Sequence, residues 1–335
     1  MRSTDGQREQ TAVAPWRATA MADGPAAVPA GAFEPNVAAS PGAAHHPWWQ
    51  TDVPVEIYRG AYGFWNVISN ADGPIPGNDN RQTDGQTDGR ADGRADDALR
   101  PVAFSWDPMG FALASVTVHS GRTRVLCSVC VEEEVPRWRR GGGQGWLSAE
   151  YRLLPASTPE RQRRELLTLS GRTQEIQRLI GRSLRASLDL EALGERTLLV
   201  DCDVLQADAG TRTAAISGAW VALAAALERL GERGLWSATP LRRQVAAVSV
   251  GLVDGRALLD LDYSEDSRAS VDLNVVGDEA ENLLEIQGTA EGAPFSRGQL
   301  TQMLDLAAGG LRQLRQAQIT ALAAEAAARQ ARQTV

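Results

Sequence analysis

The sequence has 335 residues, with 34 basic and 42 acidic side chains and a formal net charge of -8. This charge excludes indiscriminate nucleic-acid binding over the whole surface, but it is compatible with a local basic groove. Lysine does not occur, so a Walker-type phosphate lysine and a Schiff-base lysine are both excluded. The N-terminal region lacks the apolar core of a signal peptide, and no apolar run is long enough to span a bilayer. We therefore expect a cytoplasmic protein with no membrane partner.

Residues 1–88 are rich in Ala, Pro, Gly and Asp, and the near-repeat QTDGQTDGRADGRADD begins near their end. Such a composition buries too little apolar surface to offset the entropy of ordering. We predict a flexible, low-complexity extension over residues 1–88, with room for a short ordered piece around EIYRGAYGFWNVI. The composition is explained equally well if the true start of the protein lies downstream of residue 1 and these residues have no function. Residues 89–335 are predicted to form the folded domain.

The folded region begins with strands. FALASVTVHSGRTRVLCSVCVE predicts two strands joined by a tight Ser-Gly turn, and GQGWLSAEYRLLP predicts another. Cys127 and Cys130 resemble a CxxC pair, but residues three apart on a strand point to opposite faces. We therefore expect Cys127, Cys130 and Cys202 to be structural thiols in a reducing compartment, not metal ligands.

Helices and strands then alternate. SGRTQEIQRLIGRSLRASL predicts a helix with Ser170 as its N-cap, followed by the strand RTLLVDCDVLQ and the small-residue helix TAAISGAWVALAAALERLG. A hairpin is predicted about Asp254-Gly255, then the strand ENLLEIQGTAEG. The last helix should begin near Ser296, with Gln299 closing a capping box. This order predicts an α+β fold with helices packed on a mixed sheet.

Arginines concentrate in the middle of the chain. Between residues 152 and 185 there are eight arginines and three glutamates, although the protein as a whole is acidic. A solvated helix face with ion pairs explains some of them. A groove that follows a phosphate backbone is the functional alternative, and composition alone does not decide between the two.

Two predicted helix starts carry glycine, a hydroxyl residue and arginine together. They are SGRT, which contains Arg172, and GTRT, which contains Gly210, Thr211 and Arg212. The first amides of a helix are unpaired and its dipole is positive there, so a helix start is a natural anion site. A guanidinium can hold a phosphate through two parallel hydrogen bonds. Each triplet alone is a weak signal.

The acidic stretch DLDYSEDSRASVDLNVV includes Asp266 and Asp272. Alternating acids often form only the solvent face of a strand. Carboxylates also bind Mg²⁺, usually one or two of them together with substrate phosphates and water. On a straight strand these two residues would lie about 20 Å apart. They can share an ion only if SRASV bends back, which its small polar residues allow.

These segments together resemble the ribonuclease PH family. The resemblance rests on VLCSVCVEEEVPRW, GQGWLSAEYRLLP, SGRTQEIQRLIGRSLRA, LGERTLLVDCDVLQADAGTRTAAISGAWVAL, DLDYSEDSRASVDLNVV and EIQGTAEGAPFS, in that order. It covers about residues 89–322 and implies a ribosomal-protein-S5-domain-2-like fold for the domain 89–335. It also implies a phosphorolytic 3′-to-5′ exoribonuclease that trims tRNA precursors, and other RNA 3′ ends such as rRNA, and releases nucleoside diphosphates reversibly. The implied assembly is a homohexamer, a trimer of dimers.

The resemblance also assigns roles to residues. Phosphate ligands fall on Arg172, Gly210, Thr211 and Arg212; Mg²⁺-linked catalytic aspartates fall on Asp266 and Asp272; and tRNA-binding arginines fall on Arg161 and Arg164. Two positions depart from the family pattern. Ala156 stands where the family has arginine, and Ala209 stands where it has glycine. We expect Ala209 to be harmless if its φ is negative.

Two rival functions remain open at this point. One is an inactive, ring-forming RNA-binding subunit, but such copies commonly lose the phosphate arginines or metal aspartates, and both sets are present here. The other is a nuclease that uses water as its nucleophile. It would release nucleoside monophosphates in buffer without phosphate.

Overall fold

Strands and helices follow one another much as the sequence pattern indicates. The computed structural model describes residues 57–59, 65–68, 90–106, 109–166, 168–236 and 238–333. Most of the predicted extension 1–88 thus lies outside the described residues. Strands β1 (Ile57–Arg59) and β2 (Trp65–Ile68) lie within the piece for which short-range order was expected.

The elements of the folded domain continue this numbering. In chain order they are β3 (Val102–Ser105), β4 (Ala114–Ser120), β5 (Thr123–Glu132), β6 (Trp146–Leu153), α1 (Gly171–Arg185), α2 (Leu190–Leu193), β7 (Thr197–Gln206), α3 (Thr211–Glu232), β8 (Val245–Val253), β9 (Arg256–Leu259), α4 (Tyr263–Asp266), β10 (Val271–Asp278), β11 (Leu283–Ala290) and α5 (Arg297–Gln333).

Two sheets are present within the described residues, where the sequence predicted a single mixed sheet. The first has seven strands in the order β1-β2-β3-β4-β5-β7-β6 and is antiparallel except for the β6–β7 pair. The second is antiparallel, in the order β11-β10-β8-β9. The predicted α+β class is confirmed, and the mixed character belongs to the larger sheet.

Helix α3 forms the centre of the main core. It packs on β4, β5 and β8, and Trp220 and Leu223 at its middle are fully buried. Gly218 allows this close packing, since a Cβ there would lie 2.6 Å from the Val118 side chain. Among the described residues α3 is the one helix long and apolar enough to cross a membrane, but 83% of that stretch is buried inside the protein. Helix α5 packs on β8, β9 and β10, where it closes the second core.

Several local predictions are confirmed. The Ser170 hydroxyl accepts a hydrogen bond from the Thr173 amide and caps α1. Ser296 and Gln299 form the reciprocal capping bonds at the start of α5. The β8–β9 hairpin turns at Asp254-Gly255, both with positive φ, as a type I′ turn requires.

The three cysteines are free thiols. Cys127 is buried in the core and Cys130 is half-buried, which agrees with the predicted opposite faces. The sequence did not reveal that Cys127 lies directly opposite Cys202 on the neighbouring strand. Both sulfurs lie near the carbonyl of Ala215 on α3, at 3.7 and 4.0 Å, so this pair packs the sheet against the helix.

Candidate active site

The turn between β7 and α3 contains two consecutive residues in the left-handed backbone conformation. Gly210, the N-cap residue, has a φ of 62°, and Ala209 has a φ of 57°. The expectation that Ala209 would be harmless required a negative φ, and that condition is not met. An alanine in this region costs roughly 1 kcal/mol or more because its Cβ crowds the following carbonyl oxygen. This turn is therefore strained.

Buried side chains hold the strained turn in place. Arg100 donates to the Asp208 carbonyl at 2.5 Å and to the Asp260 carboxylate at 2.7 Å. The Thr123 hydroxyl accepts from the Asp208 amide at 2.9 Å and donates to the Ala209 carbonyl at 2.7 Å. A Cβ on Gly210 would lie 2.8 Å from Nη2 of Arg100. The close approach of Arg100 and the positive φ together require glycine here.

The first residues of α3 project into the site. Thr211 and Tyr151 of β6 share a hydrogen bond of 2.7 Å between their hydroxyl oxygens. Arg212 is half-buried, and its Nη1 donates to Gln287 of β11 at 2.9 Å and lies 3.4 Å from a Glu175 carboxylate oxygen. The start of α3 is thus tied to β6, α1 and β11.

Arg172, the second residue of α1, is exposed, and it makes no hydrogen bond or salt bridge within the described part of the chain. Its positive charge nevertheless acts on Tyr151, as does that of Arg212. Burial raises the pKa of Tyr151, and the Thr211 hydrogen bond and the positive charges of Arg172 and Arg212 oppose that rise. Both predicted phosphate arginines thus lie within electrostatic range of Tyr151, the residue that is hydrogen-bonded to Thr211.

Asp266 and Asp272 lie next to these arginines. Asp266 ends α4 and Asp272 is the second residue of β10. Burial and the nearby Asp272 carboxylate raise the pKa of Asp266. Burial also raises the pKa of Asp272, and Arg212 and Arg172 oppose the rise in both groups. The segment between them turns, with the Ala269 amide donating to the Asp266 carbonyl at 3.2 Å, as the sharing of one ion requires.

The donor set fits a hard divalent cation. Within the described residues the Asp266 carboxylate accepts no hydrogen bond, and Asp272 accepts only a long one, 3.4 Å, from Asn274. Two half-buried carboxylates that repel each other and accept at most one long hydrogen bond are suited to Mg²⁺, which needs one or two such ligands. No group of three or more His, Cys, Asp or Glu side chains suited to a metal occurs among the described residues, so a site made only of protein ligands is not formed there.

The basic segment between β6 and α1 is exposed. Arg161 and Arg164 are both exposed, and Arg164 opposes the burial-driven rise in the pKa of Asp203. Glu165 anchors the segment by accepting from the Ser170 amide and the Thr173 hydroxyl at 3.3 and 3.1 Å.

Comparison with known proteins identifies the family. The model described as "3′ exoribonuclease family, domain 1" matches residues 98–227, and that described as "domain 2" matches residues 243–310. Ribonuclease PH of Synechococcus sp. (strain CC9605) is 72% identical over 222 residues, which cover 66% of this chain and 90% of that protein. Ribonuclease PH of Prochlorococcus marinus (strain MIT 9313) is 68% identical over 229 residues, 68% of this chain and 94% of that protein.

The chain belongs to the ribonuclease PH family. The resemblance in the sequence is thereby confirmed, and the chain is a phosphorolytic 3′-to-5′ exoribonuclease of the tRNA-processing kind.

Solved structures confirm the ribonuclease PH-type fold. A chain of the Archaeoglobus fulgidus exosome with RNA bound to the active site superposes with a TM-score of 0.58 at 22% identity, covering 68% of this chain and 92% of that one. Rice (Oryza sativa) Rrp46 superposes with a TM-score of 0.56 at 19% identity, covering 70% and 100%. At these identities the likeness concerns the fold alone.

Four residues of this ribonuclease PH family site were missed from the sequence: Arg100, Tyr151, Asp260 and Gln287. Arg100 and Asp260 are 160 residues apart, and no local pattern links them. Gln287 could have been found, because EIQGTAE alternates polar and apolar residues and period-2 alternation places Glu285, Gln287 and Thr289 on one face.

Proposed function

We propose that the start of α3 holds inorganic phosphate as the nucleophile of phosphorolysis. The observation that supports this most directly is that Arg212 lies in the first turn of α3, directly after Gly210 and Thr211, and that the charge of Arg172 acts on Tyr151, which is bonded to Thr211. Unpaired amides, the positive end of the helix dipole and two guanidinium groups there favour a dianion.

In the proposed reaction, an oxygen of hydrogen phosphate attacks the phosphorus of the last phosphodiester of an RNA. The bond to the 3′-oxygen of the preceding nucleotide breaks, that oxygen takes up the proton of the hydrogen phosphate, and a nucleoside diphosphate leaves. Arg172 and Arg212 orient the nucleophile and stabilise the charge on the transferring phosphoryl group. No histidine base is needed, since the nucleophile brings its own charge; His119 lies instead in the sheet beside Ser105, at 3.3 Å.

Asp266 and Asp272 would hold Mg²⁺. When bound, the ion neutralises negative charge on the phosphate oxygens. The protein's own contribution is to provide two neighbouring carboxylates that accept few hydrogen bonds from other residues. Helix α4 and strand β10 fix the backbones of these two residues.

We further propose that Arg161 and Arg164 bind the phosphate backbone of tRNA precursors and other RNA 3′ ends, and that the enzyme is a cytoplasmic homohexamer, a trimer of dimers. The exposure of both arginines supports a role for this segment in binding RNA, at a neighbouring subunit's site. Light scattering of the full chain tests the hexamer, and a catalytically competent monomer would contradict it.

The test of the activity is thin-layer analysis of products from a tRNA with extra 3′ nucleotides, with and without phosphate. We expect nucleoside diphosphates only when phosphate is present, and extension of the tRNA when nucleoside diphosphate is in excess. Nucleoside monophosphates in phosphate-free buffer would support the hydrolytic alternative. RNA binding without any product would support the inactive subunit.

A further inference from the structure

Both contacts of Arg212 fall on the same guanidinium nitrogen. Nη1 donates to Gln287 at 2.9 Å and lies 3.4 Å from Glu175. Neither Nε nor Nη2 donates to another residue in the described part of the chain. The guanidinium is therefore fixed at one corner and keeps its Nε–Nη2 edge, the edge that can form two parallel hydrogen bonds with a phosphate.

The position of Gln287 follows from the alternation of the second sheet. Gln287 pairs with Asn274 across β10 and β11, and Thr289 pairs with Asp272. Directly opposed residues share a face, so Gln287 lies on the same face as Asp272 and Asn274. The other face carries Leu273 and Val275, which are buried in the core closed by α5. The sheet therefore presents Gln287 to the start of α3 from the face that also carries Asp272.

The two partners of Arg212 differ in charge. An amide oxygen accepts a hydrogen bond without neutralising the guanidinium, whereas the Glu175 carboxylate competes with any other anion for it. The Glu175 side chain is 40% exposed and its contact is the longer one. Its contact is thus the weaker of the two and the easier to displace.

We propose that Gln287 is the positioning residue that aims Arg212 at phosphate, and that Glu175 is an internal anion that phosphate displaces from Arg212. This inference rests on the proposed phosphate site. It adds that phosphate binding at the start of α3 depends on a neutral hydrogen-bond acceptor, Gln287, from β11 of the four-stranded sheet.

The test measures the KM for inorganic phosphate, the KM for RNA and the melting temperature of single variants of the full chain. Gln287→Ala should raise the phosphate KM about ten-fold, the typical weight of one hydrogen bond to a charged group, with the RNA KM unchanged. Gln287→Glu should raise it further, since it keeps the acceptor but adds a negative charge. Glu175→Gln should lower it. Gln302→Ala, which removes an exposed amide on α5, is the matched control and should change nothing.

A double-mutant cycle separates the possible failures. In an Arg212→Ala background, Gln287→Ala should have no further effect on the phosphate KM, because it acts through Arg212. Additive effects, or equal changes in the KM for phosphate and for RNA, would overturn the positioning role. If Arg212→Ala alone leaves the phosphate dependence unchanged, the proposed phosphate site fails instead.

Discussion

Arg90 and Glu265, 175 residues apart in the chain, form a buried bidentate ion pair, with nitrogen–oxygen distances of 2.8 and 2.7 Å. Arg90 also donates to the carbonyls of Leu259 and Asp260, at 2.7 and 3.0 Å. Glu265 belongs to α4, where it closes a capping box with Asp262, and it immediately precedes Asp266. The pair thus fixes the backbone of a proposed metal ligand from the very start of the folded domain.

This pair makes a sharp prediction about the domain boundary. A chain that begins at residue 89 loses the edge strands β1 and β2 but keeps Arg90, and we expect its turnover to stay within a few-fold of the full chain. Arg90→Ala in the full chain should lower the free energy of unfolding by about 3 kcal/mol, because it leaves the buried Glu265 with only the longer pair to Arg94, at 3.7 Å. Chemical denaturation and steady-state rates measure the two effects.

The matched control is Arg256→Ala, since Arg256 forms a half-exposed pair with Asp96 and such pairs are worth at most about 1 kcal/mol. Loss of assembly in the 89–335 chain, seen by light scattering, would show instead that residues 1–88 are structural.

Arg212→Ala tests the phosphate end of the site. Removing a charge-assisted contact to the nucleophile should raise the phosphate requirement and slow turnover by about 10²–10³-fold if the contact matters chiefly in the transition state. Rates across a phosphate titration, beside melting temperatures, are the measurement. A purely structural ion pair with Glu175 predicts the opposite pattern: lost thermal stability and an unchanged phosphate dependence.

Asp266→Asn tests the metal end. The variant keeps the shape of the side chain but removes one of the two carboxylate charges. We therefore expect the rate to depend less on Mg²⁺ and the affinity for RNA to be nearly unchanged. A Mg²⁺ titration of turnover and a filter-binding assay with RNA give the two readouts. A large loss of RNA affinity would contradict a role confined to the metal.

Ala209→Gly should stabilise the protein, although glycine normally destabilises. Glycine at a φ of 57° avoids the strain of a left-handed alanine, about 1 kcal/mol or more, which outweighs the extra chain entropy of about 0.4–1 kcal/mol. We expect a melting temperature higher by about 1–3 °C. Ala207→Gly is the control, since Ala207 is not among the residues with positive φ, and it should lower the melting temperature. A lower value for Ala209→Gly would mean that the strain is absent.

The elements, and the residues of the proposed anion site, could be found in the sequence because their signals are local. Capping residues such as Ser170, the Asp254-Gly255 turn and the apolar spacing of α1 each act within a few residues, and the long motifs carried Arg172, Arg212, Asp266 and Asp272. The residues that hold the site together were not predictable, because their partners are distant in sequence. Arg90 even lies inside the near-repeat that composition marked as unable to form a core. The sign of φ at Ala209 depends on Arg100 and Thr123, which no local pattern indicates.

The exposed arginines of the segment before α1 give the last prediction. Arg161 and Arg164 are solvated and are not part of the helix start proposed to hold phosphate, so their replacement should leave the phosphate KM unchanged. If they neutralise RNA phosphates, the double variant Arg161→Ala/Arg164→Ala should raise the RNA KM, and the slope of log affinity against log salt should fall by about 0.7 per lost contact. Arg297→Ala, at the start of α5, is the control, since it removes an exposed arginine outside this segment. An unchanged salt slope in the double variant would mean that the arginines only keep the surface solvated, and the RNA path would have to follow the other exposed arginines, those along α1.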